Sequence, residues 1–85
     1  MKYNYNLFED NAGGLHLAVM DGESCVYYLT SLNREFVLDT LEELKNGSDP
    51  VNDCWEGGEE NPNSAYNTII RWVESRNGSA WKLDV

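Results

Sequence analysis

The 85-residue sequence predicts one α+β domain, residues 1–85, in the element order βββααβ. The expected architecture is a four-stranded antiparallel sheet with two helices on one face. Three observations predict it. Four short segments place apolar residues at every second position, two longer ones at i, i+3, i+4 and i+7, and the junctions carry Gly, Pro, Asn or Asp. At 41% hydrophobic content the chain can bury roughly 60 to 65% of its unfolded surface, which makes one modest core.

The first strand is read over Lys2 to Phe8, with Tyr3, Tyr5 and Leu7 on one side and Asn4 and Asn6 on the other. Glu9 to Gly14 breaks that alternation with residues that tolerate turns. Leu15 to Met20 then resumes it with Leu15, Leu17 and Val19 together, completing a hairpin. Asp21-Gly22 is a strong two-residue turn signal, and Ser24 to Thr30 (SCVYYLT) supplies a third strand rich in β-branched and aromatic residues.

Ser31 to Gly47 is a helix with both ends written into the sequence. Val37, Leu41 and Leu44 form its apolar stripe, with Leu38 on the edge, and Glu35, Asp39 and Glu42 run along the opposite side with Glu43 beside them. Asn33 or Ser31 can cap the first turn, Glu35 suits the positive end of the helix dipole, and Lys45 with Asn46-Gly47 makes the stop. Like charges four residues apart cost a few tenths of a kcal/mol, and solubility alone is served as well by mixed signs.

Ser48 to Pro62 has no period, two prolines, adjacent glycines and five acids: Asp49, Asp53, Glu56, Glu59 and Glu60. A loop this long in a small domain is functional or disordered, and Trp55 in its middle is expected to pack or to bind. A second helix starts at Asn61-Pro62 or Asn63-Ser64, carries the stripe Tyr66, Ile69, Ile70 and Val73, and stops at Asn77-Gly78. Ser79 to Val85 alternates as a last strand, with Trp81, Leu83 and Val85 on one face, returning beside the first. Asn46-Gly47-Ser48 and Asn77-Gly78-Ser79 match the glycosylation triplet, yet each reads better as a helix stop.

Fifteen acids against six bases give a net charge of -9 and a pI near 4.2, an electrostatic balance opposed to direct nucleic-acid binding. The excess lies in the middle of the chain, where residues 48 to 62 contribute five acids and no base. With no signal-peptide pattern and no run of 18 apolar residues, a monomeric cytoplasmic protein without membrane contact is expected.

Catalytic and metal chemistry finds little support. His16 is the only histidine, sits in a strand without a nucleophile assigned by spacing, and is read as a solvated or edge residue. Cys25 and Cys54 lack the CxxC spacing of zinc or redox sites and are read as reduced, part-buried thiols, with an adventitious disulfide as the minority reading. The segment from Asp49 to Cys54 departs from the calcium-loop pattern at two positions, and the glycine pairs are not followed by a phosphate-loop Lys. No enzyme activity, no cofactor and no metal site are expected.

The acids remain. Those of the helix advance by about 5 Å per step, somewhat coarser than the 3.4 Å between phosphates along one DNA strand. Tyr5 to Val19 (YNLFEDNAGGLHLAV), together with Trp55 to Gly57, Asn61-Pro62 and Tyr66, resembles short proteins carried by phages and mobile elements. It looks like the small acidic anti-CRISPR proteins, among them those directed at type I-C systems. That resemblance implies an inhibitor, acting in the bacterial host cell, that blocks target-DNA binding by an effector complex. The partner-binding residues come from the residue pattern itself: Glu35, Asp39, Glu42, Glu43, Asp49, Asp53, Trp55, Glu56, Glu59 and Glu60. They are expected to face the basic DNA-binding surface of a protein or nucleoprotein complex. The alternative is a generic protein–protein adaptor or regulatory module whose acidic face is only solvated.

Overall fold

The computed structural model describes residues 3–48, 61–75 and 79–85. Its elements are β1 (Asn4–Asp10), β2 (Leu15–Asp21), β3 (Ser24–Ser31), α1 (Arg34–Lys45), α2 (Pro62–Ser75) and β4 (Ala80–Leu83). The four strands form one antiparallel sheet in the order β3-β2-β1-β4, so the last strand does return beside the first. β1 runs two residues further than its alternation suggested. Glu9 gains partners on both sides, Leu15 on β2 and Trp81 on β4, and Asp10 pairs with Ala80 on β4.

The helices do not share a face, which corrects the expectation of one helical layer. Leu7, Leu15, Leu17, Val19 and Leu29 pack with Val37, Leu41 and Leu44 of α1. Phe8, Ala18, Met20, Cys25, Tyr28 and Ala80 pack with Ile69 of α2. Successive strand residues point to opposite sides of a sheet, so these two sets lie on opposite faces and the chain forms a helix–sheet–helix stack. The reason is visible in Leu15 to Met20, where Leu, Ala, Val and Met leave neither face polar. A strand of that kind needs cover on both sides, and Phe8 and Ala18 are as fully buried as Leu7 and Leu17.

A β-bulge adjusts this arrangement. Val19 pairs with Tyr27 and Met20 with Cys25, which leaves Val26 as the extra residue. The alternation of β3 therefore shifts at that point, and Cys25 joins Tyr28 in the α2 core although three positions separate them. Val26 packs against the α1 core instead.

The helix ends follow their sequence signals. The Asn33 side chain accepts from the Phe36 amide at 3.1 Å, and Ser31 Oγ accepts from Asn33 N at 2.9 Å. At the other end Asn46 N donates to Glu42 O, Gly47 N to Leu44 O and Ser48 N to Glu43 O, with Gly47 at φ +110°, where a side chain is strained. α2 begins at Pro62, and Asn61 O accepts from Ser64 N and Ala65 N. The Asn77-Gly78 stop lies outside the described residues.

α1 covers β2 and β3, whereas α2 lies across β3 and β4. On the α1 side Leu7 of β1 is still buried in the α1 core, whereas Trp81 on the same side of β4 is 41% exposed. No described helix is long and apolar enough to cross a membrane.

Candidate binding surface

α1 turns its buried stripe, Val37, Thr40, Leu41 and Leu44, onto the sheet. Thr40 is the polar member of that stripe; its hydroxyl donates to Phe36 O at 2.9 Å, so the helix backbone satisfies it. By helical geometry Glu35, Asp39, Glu42 and Glu43 then point to solvent, and all four are exposed. Among the described residues none of the four enters an ion pair. Arg34 is engaged elsewhere: its guanidinium donates to Glu9 and to Gly13 O, tying the start of α1 to the β1–β2 turn. Among the described residues, α2 itself carries one base, Arg71, and one acid, Glu74.

The remaining residues expected at the surface, Asp49, Asp53, Trp55, Glu56, Glu59 and Glu60, lie outside the described residues, as does Cys54. Cys25 is a free, buried thiol whose pKa is pushed up by burial, against the smaller opposing effect of its contacts with Tyr27 O and the Val19 backbone. A cleft of about 470 Å³ opens at the end of the sheet beside Tyr3, Tyr5, Lys45 and Tyr66.

His16 corrects a sequence expectation. It lies on an interior strand, not an edge, and its side chain is only 12% exposed. Nε2 lies 2.7 Å from Asp10 Oδ2, while Nδ1 lies 2.8 Å from both Tyr28 OH and Thr30 Oγ1. A carboxylate only accepts, so Nε2–H donates to Asp10 and the Nδ1 of a neutral ring accepts from a hydroxyl. Asp10 Oδ1 also accepts from Ala12 N and Gly14 N, each at 2.9 Å. Burial opposes ionisation of Asp10, but the His16 hydrogen bond and then the Gly14 and Ala12 amides outweigh it, and the carboxyl is held below its usual range. Gly14 is tied into the same arrangement, since a Cβ there would stand 3.0 Å from Asp10 Oδ2.

The sequence carried a signal for this network only through the hairpin register. Phe8 opposite His16 places Asp10 diagonally beside the imidazole, but this is legible only if β1 is carried past Phe8. A hydroxyl, an imidazole and a carboxylate in line invite comparison with a nucleophilic triad. Here the turn amides of Ala12 and Gly14 also hold Asp10, and none of the four residues lines the described cleft. The network ties the β1–β2 turn to β3. Among the described residues no three of His, Cys, Asp and Glu converge on a point that could hold a metal ion. No family model, curated protein or solved structure matches this chain.

Proposed function

We propose that the protein is a non-enzymatic inhibitor that acts as an acidic DNA mimic, docking on the DNA-binding surface of an effector complex and excluding target DNA, in the manner of the small anti-CRISPR proteins it resembles. The observation that carries this reading is the outer face of α1. Glu35, Asp39, Glu42 and Glu43 stand exposed on one side of the sheet, unpaired by any described base, whereas α2 carries one described base and one described acid. One-sided charge of this kind steers association with a Lys- and Arg-lined channel. The loop acids and Trp55 enter the proposal from the sequence alone.

The experiment is competition on a purified type I-C effector complex. Protein and target DNA should exclude one another, and association should slow as salt shortens the Debye length below about 8 to 10 Å while dissociation changes less. Simultaneous binding with unchanged affinities, together with full inhibition by charge-reversed α1 variants, removes the mimicry reading and leaves the adaptor.

A further inference from the structure

We propose that β4 is a self-complementary edge through which two copies of this chain pair antiparallel about a twofold axis, joining their four-stranded sheets. The first support is the phase of the β1–β4 ladder. Asn11 N donates to Ser79 O at 3.2 Å, so with antiparallel alternation the hydrogen-bonded pairs are Ser79 with Asn11, Trp81 with Glu9, and Leu83 with Leu7. Ala80 and Lys82 therefore turn their N–H and C=O groups outward, and among the described residues nothing takes them up. Continued by two residues, the same ladder brings Val85 opposite Tyr5, in keeping with their lining one cleft, and gives Asp84 the outward phase of Lys82.

The second support is the sequence along that edge. Trp81-Lys82-Leu83-Asp84-Val85 reads apolar, cation, apolar, anion, apolar, symmetric in character about Leu83 and inverted in charge. An antiparallel copy centred on Leu83 sets Lys82 opposite Asp84 of the second copy, twice by symmetry, on one face. On the other it sets Trp81 opposite Val85, again twice, with Leu83 against itself. Lys82 and Asp84 share the outward phase, so these oppositely charged residues are also the ones that exchange backbone hydrogen bonds. A slip of one residue opposes outward to inward groups and forfeits the ladder. A slip of two puts Lys82 on Lys82 or Asp84 on Asp84.

Packing and charge agree with the pairing. Trp81 and Val85 are 41% and 52% exposed at the sheet edge, and cross-strand contact covers both. Each copy is strongly acidic, but the α1 carboxylates lie over β2 and β3, away from the β4 edge, and salt screens them from one another across more than about 10 Å.

The test is analytical ultracentrifugation of the full chain and three variants. Wild type should show a concentration-dependent dimer. Lys82→Asp and Asp84→Lys, each of which turns both symmetric pairs into like-charge pairs at exposed positions, should weaken it about tenfold or more. An equimolar mixture of these two variants should dimerise, because one edge then carries two carboxylates and the other two ammonium groups, and both cross-strand pairs are again oppositely charged. The double swap Lys82→Asp/Asp84→Lys should recover the wild-type association. Circular dichroism should show all variants folded. A wild type that stays monomeric to about 1 mM, single variants that dimerise like wild type, or a mixture that fails to associate would each overturn the proposal.

Discussion

Replacing Asp10 with Ala should be among the most destabilising changes outside the two apolar cores, and the structure gives the size. The carboxylate accepts three hydrogen bonds, from His16 Nε2 at 2.7 Å and from the Gly14 and Ala12 amides at 2.9 Å. Ala12 is exposed, so water replaces that bond at little cost. Gly14 is buried and the His16 ring is nearly so, and each is left with a donor short of a partner. Hydrogen bonds to a charged acceptor contribute about 1.5 to 3 kcal/mol each, which puts the two inner bonds near 3 kcal/mol in total after partial rehydration. For a domain of this size that is a loss of roughly 15 °C in Tm. Asp10→Asn keeps an oxygen for the turn amides and offers an amide N–H to Nε2 once the ring proton shifts to Nδ1 and donates to a hydroxyl, so its cost should be about 1 kcal/mol. Urea melts followed by tryptophan fluorescence measure both. A cost below about 0.5 kcal/mol for the Ala variant, or an Asn variant as damaged as the Ala one, refutes the view that Asp10 organises the hairpin.

Further predictions test the other assignments. Because the folded-state pKa of Asp10 is depressed, its contribution to stability is complete above its unfolded pKa and fades as pH falls through the lower folded value; below about pH 4 wild type should lose stability more steeply than Asp10→Asn, as acid titration by circular dichroism would show. Leu44→Ala and Ile69→Ala should each cost about 3 kcal/mol, and because the sheet separates their cores the double variant should be additive within about 0.5 kcal/mol in denaturant melts; strong coupling would argue against helices on opposite faces. Reversing Glu35, Asp39 and Glu42 to Lys should change stability by less than about 0.5 kcal/mol while abolishing binding to a basic target, measured by thermal melts and surface plasmon resonance. Asn63→Ala removes the side-chain oxygen that accepts from Cys25 N at 2.7 Å, and should cost about 1 kcal/mol by leaving an edge amide of β3 uncapped.

What the sequence determined by itself was whatever local chemistry decides. The type and order of the elements, the α1 stripe with its Asn33 cap and its stop at Gly47, and the pairing of the last strand with the first were all legible, because period, capping and turn propensity act within a few residues. The exposure of Glu35, Asp39, Glu42 and Glu43 followed from the same period. The distribution of the helices over two faces was decided by tertiary packing: an amphipathic helix records only that one side needs a core, and Phe8 with Ala18 made a second core available. Likewise the bulge at Val26 and the network around His16 depend on strand register, which sets groups six to fourteen residues apart side by side. His16 looks solitary along the chain because its partners Asp10, Tyr28 and Thr30 come from three different strand positions. Only closure of the β1–β2–β3 meander brings a carboxylate and two hydroxyls within hydrogen-bond reach of one imidazole.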